Sequence, residues 1–241
     1  MDSVKKILER RSERSYKKQE IEKEKIDQLI SVINSSPTSG NSHCFSAIIV
    51  DDIELRKTIS LGLPTQQHII DAPLFIIFCA DLNRIEYVSN KTNNKIYTNT
   101  LNNFLSASGD AYIAASFAAN AGLQLGLGSC YIGILRWNME TIAKALNLSG
   151  SIVPIVGLTF GYIDHQNEIK PKINHVYKGK YDMKKIETEI QEYDDVMFKY
   201  YDSRNLNKKP NSKWSETCLS FFLKEGSDKP IDEFIKKTWK I

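Results

Sequence analysis

"AYIAASFAANAGLQLGLGSCYIGIL", residues 111–135, runs for 25 residues without a formal charge. Such a run is long enough to span a bilayer, which takes about 20 apolar residues. It also suits a buried helix that turns into a strand. The composition favours the second reading. Asn120, Gln124 and serines interrupt the run, and its alanine-rich first half gives way to Gly122, Gly126, Gly128 and Gly133. The pattern predicts a helix from about Asn99 to Leu125, then a tight turn, then a strand. Ala107, Ala111, Ala114, Ala115, Ala118 and Ala121 give that helix a face of small side chains. Such a face lets a sheet or another helix approach closely.

The flanking segments supply the sheet. "FSAIIV" (45–50) is rich in β-branched residues. "APLFIIFCAD" (72–81) is almost wholly apolar, as a central strand covered on both faces would be. "SIVPIVGLTFGYI" (151–163) reads as another buried strand, broken by Pro154. Helices are predicted over residues 3–14 with Ser3 as N-cap, over 20–36, over "DDIELRKTIS" (51–60) and over "NMETIAKALNL" (138–148) with Asn138 as cap. Residues 82–100 read as a polar excursion. After Ile163 the apolar faces thin out. Helices over 184–204, 216–225 and 230–240 alternate with a basic loop, "NLNKKPNSKW" (205–214). A tail of this kind wraps the main body or a second subunit. Strands alternating with helices place the fold in the α/β or α+β class.

Composition excludes several functions. Charged residues make up 25% of the 241 and the net charge is +3, too mild to imply nucleic acid. Cys44, Cys79, Cys130 and Cys218 show neither CxxC nor zinc spacing, and the four histidines are scattered, so no metal site is expected. Unpaired cysteines in a chain of this length suit a reducing, cytoplasmic compartment. The charge from Lys5 onward makes a signal peptide unexpected, and no membrane segment is expected.

Four short stretches could carry chemistry, and each has an ordinary alternative. "RRSERSY" (10–16) reads as a solvated helix face or as a phosphate clamp, since arginine's planar fork suits phosphate oxygens. "SPTSGNS" (36–42) reads as a surface loop or as a polar cradle of hydroxyls and backbone N–H groups. Arg136 is a surface arginine after a strand, and "KPK" (170–172) a basic turn, unless a site gathers them. "GLQLGLG" (122–128) follows a helix rather than a strand, so it is a C-cap and turn rather than a dinucleotide loop.

Together with "PTQQHIIDAPLFIIFCAD" (64–81), "LGLGSCYIGILRWN" (125–138), "IVGLTFGYIDHQNEIKPK" (155–172) and "KWSET" (213–217), these stretches stand in an informative order. In order and spacing the set resembles the nitroreductase superfamily, in particular its NADPH-dependent, oxygen-insensitive nitroreductase and flavin reductase branch. The resemblance covers essentially the whole chain. It implies a single nitroreductase-like domain over 1–241, of the α+β class, with a small central mixed sheet flanked by helices. Residues 164–241 would form a C-terminal extension at the interface of a homodimer and at the cofactor entrance.

The resemblance also implies non-covalently bound FMN and NADPH as co-substrate. Arg10, Arg11 and Ser12 would meet the FMN phosphate, and Arg14 the pyrimidine edge, where a fixed cation favours anionic reduced flavin. Thr38, Ser39 and Gly40 would line the cofactor, with Gln66 beside the ring. Tyr131, Ile132, Gly133, Ile134 and Leu135 would run along the flavin, and Lys170 and Lys172 would return to the phosphate. Asn41, Arg136, Arg204, Lys208, Lys209 and Lys229 would face substrate or the NADPH 2′-phosphate. Lys172 stands where close relatives usually carry arginine, and Asn41 and Ser42 where an aromatic is common. The implied reaction is ping-pong: hydride passes from NADPH to FMN, then two electrons pass to a nitroaromatic, a quinone or free flavin. FMN carries the chemistry, so no catalytic side chain is named. The alternatives are a flavin-binding relative with another reaction, such as reductive dehalogenation or flavin supply, and a nucleic-acid binder using "ERRSERSYKK" and "NLNKKPNSK". No aromatic stacking platform accompanies those basic stretches.

Overall fold

The computed structural model describes residues 3–166, 168–203, 213–219, 222 and 228–241. They form two compact units: residues 1–167 with 228–241, and residues 168–227. Fourteen helices and strands are named here in chain order: α1 (Ser3–Leu8), α2 (Lys23–Asn34), β1 (Phe45–Ile49), α3 (Ile53–Ser60), α4 (Gln67–Asp71), β2 (Leu74–Asp81), α5 (Asn83–Thr92), α6 (Leu101–Gln124), β3 (Gly128–Ile132), α7 (Met139–Ala145), β4 (Ile152–Gly161), α8 (Lys184–Ser203), α9 (Trp214–Cys218) and α10 (Lys229–Trp239). Short 3-10 turns lie at Ser39–Asn41 and Ile134–Asn138.

The sheet order is β1-β2-β4-β3, and every ladder is antiparallel. The expected mixed character reduces to one parallel bridge, Ser12 to Ser129, at the β3 edge. β2 and β4 are buried along their whole length because both faces of the sheet are covered. Leu74, Ile76, Phe78 and Ala80 point into a core built with α2, α6 and α10. Phe75, Ile77 and Cys79 point the other way, into a core with Ile59, Ile69, Ile132, Leu135 and Ile142. Two covered faces explain why β2 reads as a continuous apolar run rather than an alternating one.

Pro154 does not break β4. The register slips between Phe78 and Cys79, which pair with Val156 and Pro154, so one extra residue sits on β4. This bulge takes the proline, which has no N–H for a ladder bond. Residues 82–100 are not an irregular excursion throughout: α5 forms there and ends at Asn93 in the left-handed conformation (φ 53°). Asn138 stands at the N-terminus of α7, but its amide donates to Ile59 O (3.0 Å) and Leu61 O (3.3 Å), tying the helix to α3 instead of capping it.

α6 carries the first core. Ala107, Ala111, Ala114, Ala115 and Ala118 are fully buried, and their short side chains let the helix lie close on β2 and β4. At Gly122 a Cβ would sit 2.6 Å from Cε1 of the buried Phe160 ring. α10 returns to the same core, where Trp239 meets Phe104 edge-on at 5.1 Å. In the second unit, Asp194 on α8 accepts from Ser215 N–H (2.9 Å) and Oγ (2.6 Å), anchoring the first turn of α9. Tyr193 also packs on Trp214.

Gly122→Ala should therefore invert the usual gain of about 1 kcal/mol for alanine over glycine in a helix. Overpacking against Phe160 predicts a net loss of about 1–3 kcal/mol, read from the urea midpoint. Unchanged or raised stability would show that the contact relaxes freely.

Candidate functional site

The arginines of "RRSERSY" are not on a helix. α1 ends at Leu8, and residues 10–16 run beside the sheet in extended form. Glu13 N–H donates to Ser129 O (3.0 Å), Lys17 N–H to Tyr162 O (2.8 Å) and Asp164 N–H to Ser15 O (3.1 Å), so the segment is stitched to the ends of β3 and β4. Tyr16 locks it. Its hydroxyl lies 2.8 Å from Thr159 Oγ1 and donates to Glu13 O (2.7 Å), and its ring covers Gly161, where a Cβ would come within 2.7 Å. Burial pushes the Tyr16 hydroxyl pKa far up, so it stays a neutral donor.

This stitching holds Arg10, Arg11, Ser12 and Arg14 along β3. Arg10 and Arg11 are half-buried, and Arg10 Nη1 and Arg11 Nε are enclosed with no acceptor among the described residues. Buried donors without acceptors are costly, more so when charged. The charges of Arg10 and Arg14 reach Cys130, and that of Arg10 reaches Tyr131; burial raises both pKa values and these cations oppose the rise.

α4 lies beside Arg14. His68, on α4, is buried, its Nε2 has no partner among the described residues, and its pKa falls to about 4. Burial is the main cause, the positive charge of Arg14 adds to it, and Asp71 opposes it. Gln66, just before α4, is half-buried and donates from Nε2 to Pro64 O (3.0 Å).

Three of the expected segments converge on the middle of α6. Ser39 donates from N–H and from Oγ to Asp110 Oδ1, both at 2.9 Å. Arg136 folds back over Gly133 and donates from Nη1 to Tyr112 Oη (3.1 Å) and Ile155 O (3.3 Å). Tyr131 Oη donates to Ala115 O (3.2 Å). Positions 110 to 115 span only about 8 Å of helix at 1.5 Å per residue. Thr38 Oγ1 accepts from His43 N–H (3.2 Å), while Gly40 and Asn41 are exposed in the left-handed conformation (φ 57° each).

Not every expected residue faces outward. Ile132 and Leu135 are buried in the second core, so of "YIGIL" only Tyr131, Gly133 and Ile134 keep any exposed surface. Lys170 and Lys172 are exposed in the second unit, where Tyr193 Oη donates to Pro171 O (3.0 Å) and fixes the turn between them. Lys229 is the exposed first residue of α10. Arg204, Lys208 and Lys209 lie outside the described residues. Asp110, His68 and Tyr16 are the site residues that sequence reasoning passed over. All four cysteines are free thiols, and no helix among the described residues is long and apolar enough to cross a membrane.

Residues 7–162 match the Nitroreductase family, and residues 171–238 match the Nitroreductase family, C-terminal domain. The chain belongs to the nitroreductase family. This nitroreductase is similar to the FMN reductase (NAD(P)H) of Bacillus subtilis, with 32% identity over 226 residues that cover 91% of this chain and 90% of that protein. It is 29% identical to the "CR(VI) reductase" of Pseudomonas sp. (strain G-1), over 98% of this chain and all (100%) of that one. Among solved structures, the NfrA1 nitroreductase from B. subtilis superposes with a TM-score of 0.93 at 25% identity, covering 99% of this chain and 98% of that one.

The residues present fit a flavin phosphate. Two enclosed guanidinium donors with no acceptor among the described residues on the β3 flank are what a phosphate dianion would complete.

His68 gives this nitroreductase a pH signature. Its folded pKa, about 4, lies below the ordinary 6.5, so the unfolded chain takes up the proton first. The stabilisation is complete above about pH 6.5 and is lost as pH falls towards 4, at most about 3 kcal/mol. Urea midpoints between pH 7 and 4.5 should fall more steeply for the wild type than for His68→Gln. Parallel slopes would mean that His68 is solvated.

Proposed function

We propose that this nitroreductase is an FMN-dependent oxidoreductase that uses NADPH to reduce small acceptors, namely nitroaromatics, quinones or free flavin, by a ping-pong scheme. The observation that carries the reading is the pair of enclosed guanidinium donors of Arg10 and Arg11 beside β3, which have no acceptor among the described residues. The relatives' names, an FMN reductase and a nitroreductase, support it.

Bound FMN would supply hydride acceptance and two-electron delivery. The chain's own residues bind and orient. Arg10, Arg11 and Ser12 hold the phosphate. Arg14 sets a positive potential at the pyrimidine edge, and buried neutral His68 adds no competing charge there. Thr38, Ser39 and Gly40 line one side, and Gln66, Tyr131, Gly133 and Ile134 the other, with Ile132 and Leu135 contributing backbone alone. Asn41, Arg136 and Lys229 face substrate or the nicotinamide nucleotide. The setting is cytoplasmic.

We infer a homodimer from α6. Its inner face is core, yet Leu101, Leu105, Tyr112, Ile113 and Phe117 on the other side are exposed. Large apolar side chains exposed together on one element mark an interaction surface, and a second copy supplies the cover.

The purified protein should be yellow. Anaerobic mixing with NADPH should bleach the flavin band in one phase, and a nitroaromatic or quinone should restore it without enzyme-bound NADPH. A protein that neither binds FMN nor bleaches would overturn the reading. Sedimentation should give twice the 27.5 kDa chain mass; a single-chain particle would remove the dimer.

A further inference from the structure

Asp110 is the most enclosed acidic side chain of the first unit, with 0% of its surface exposed. Its helical neighbours on the buried face of α6 are Ala107, Ala111 and Ala114. Oδ1 takes both donors of Ser39, and Oδ2 is enclosed with no partner among the described residues. Packing alone does not account for a carboxylate here. Desolvating it costs several kcal/mol by general estimates, and an alanine would continue the face.

What Asp110 does hold is a wound loop. Asn41 N–H closes on Thr38 O (3.2 Å), Ser42 N–H on Ser39 O (3.1 Å), and His43 N–H on Thr38 Oγ1 (3.2 Å). Gly40, Asn41 and His43 all have positive φ, between 52° and 57°. Left-handed Asn and His are strained, so the loop needs an outside anchor to keep this form. Ser39 is half of that anchor and Asp110 the other. The anchor also sets the loop's register on α6, within two turns of the helix positions that receive Arg136 and Tyr131.

We propose that Asp110 is a positioning residue of the flavin site: it fixes the Thr38–Asn41 cradle on α6 in the form that receives the cofactor. This rests on the FMN reading above. The carboxylate acts through Ser39, by geometry rather than by proton transfer.

The test is titration of apoprotein with FMN, followed by flavin fluorescence and by the visible band of the bound flavin, in Asp110→Ala, Asp110→Asn and Ser39→Ala. Asp110→Ala should raise the Kd about tenfold or more and change the visible band, the scale set by loss of hydrogen bonds to a charged group. Asp110→Asn should recover most of that loss, because an amide oxygen still accepts both Ser39 donors. Should Asp110→Ala fail to fold, Ser39→Ala, at an exposed position, removes one of the two bonds and should weaken FMN about threefold. A Kd and band unchanged in Asp110→Ala, no recovery with Asp110→Asn, or no effect of Ser39→Ala would overturn the proposal while leaving the FMN reading intact. Wild-type protein that does not bind FMN would overturn both.

Discussion

The close seating of α6 on the sheet is the constraint from which the rest follows. Five buried alanines and Gly122 bring the helix onto β2 and β4, where a chain of leucines would hold it off. Once seated, the middle of α6 becomes a fixed reference. Asp110 receives the 38–43 loop, Tyr112 receives Arg136, and Ala115 receives Tyr131. Three segments far apart in the chain are thereby set within about 8 Å of helix. The outer face of the same helix stays apolar, so one element serves core, site and proposed interface.

On the other flank, order comes from hydrogen bonds to strand edges rather than from burial. The segment 12–17 is joined to the ends of β3 and β4 through Ser129, Tyr162 and Asp164, and clamped by Tyr16 over Gly161. An extended segment fixed in this way presents successive side chains in alternation, which a short helix would not. Arg10 and Arg11, just ahead of that segment, each hold an enclosed donor with no acceptor among the described residues. Cations concentrated there also favour a neutral histidine close by, as His68 shows.

Much of this was legible in the sequence, for physical reasons. The uncharged run 111–135 announces a buried helix and strand, and continuous apolar stretches announce strands covered on both faces. The reading failed where tertiary partners overrule local pattern. Arg10 and Arg11 look helical by spacing, yet the β3 edge offers the backbone better partners. Pro154 looks like a break until a bulge accommodates it. Asp110 left no signal, since one acid in an apolar helix gains meaning only when Ser39, 71 residues away, is seen beside it.

In the proposed site Arg10 and Arg11 read the phosphate of FMN. The most direct measurement compares FMN with riboflavin, which has the same ring and lacks the phosphate, on wild-type apoprotein and on Arg10→Ala/Arg11→Ala. Wild type should prefer FMN by a factor of about 100 or more, as two charge-assisted hydrogen bonds would give, and the double variant should lose most of that preference while binding riboflavin as before. A preference for FMN that survives the double substitution would place the phosphate elsewhere and contradict the account.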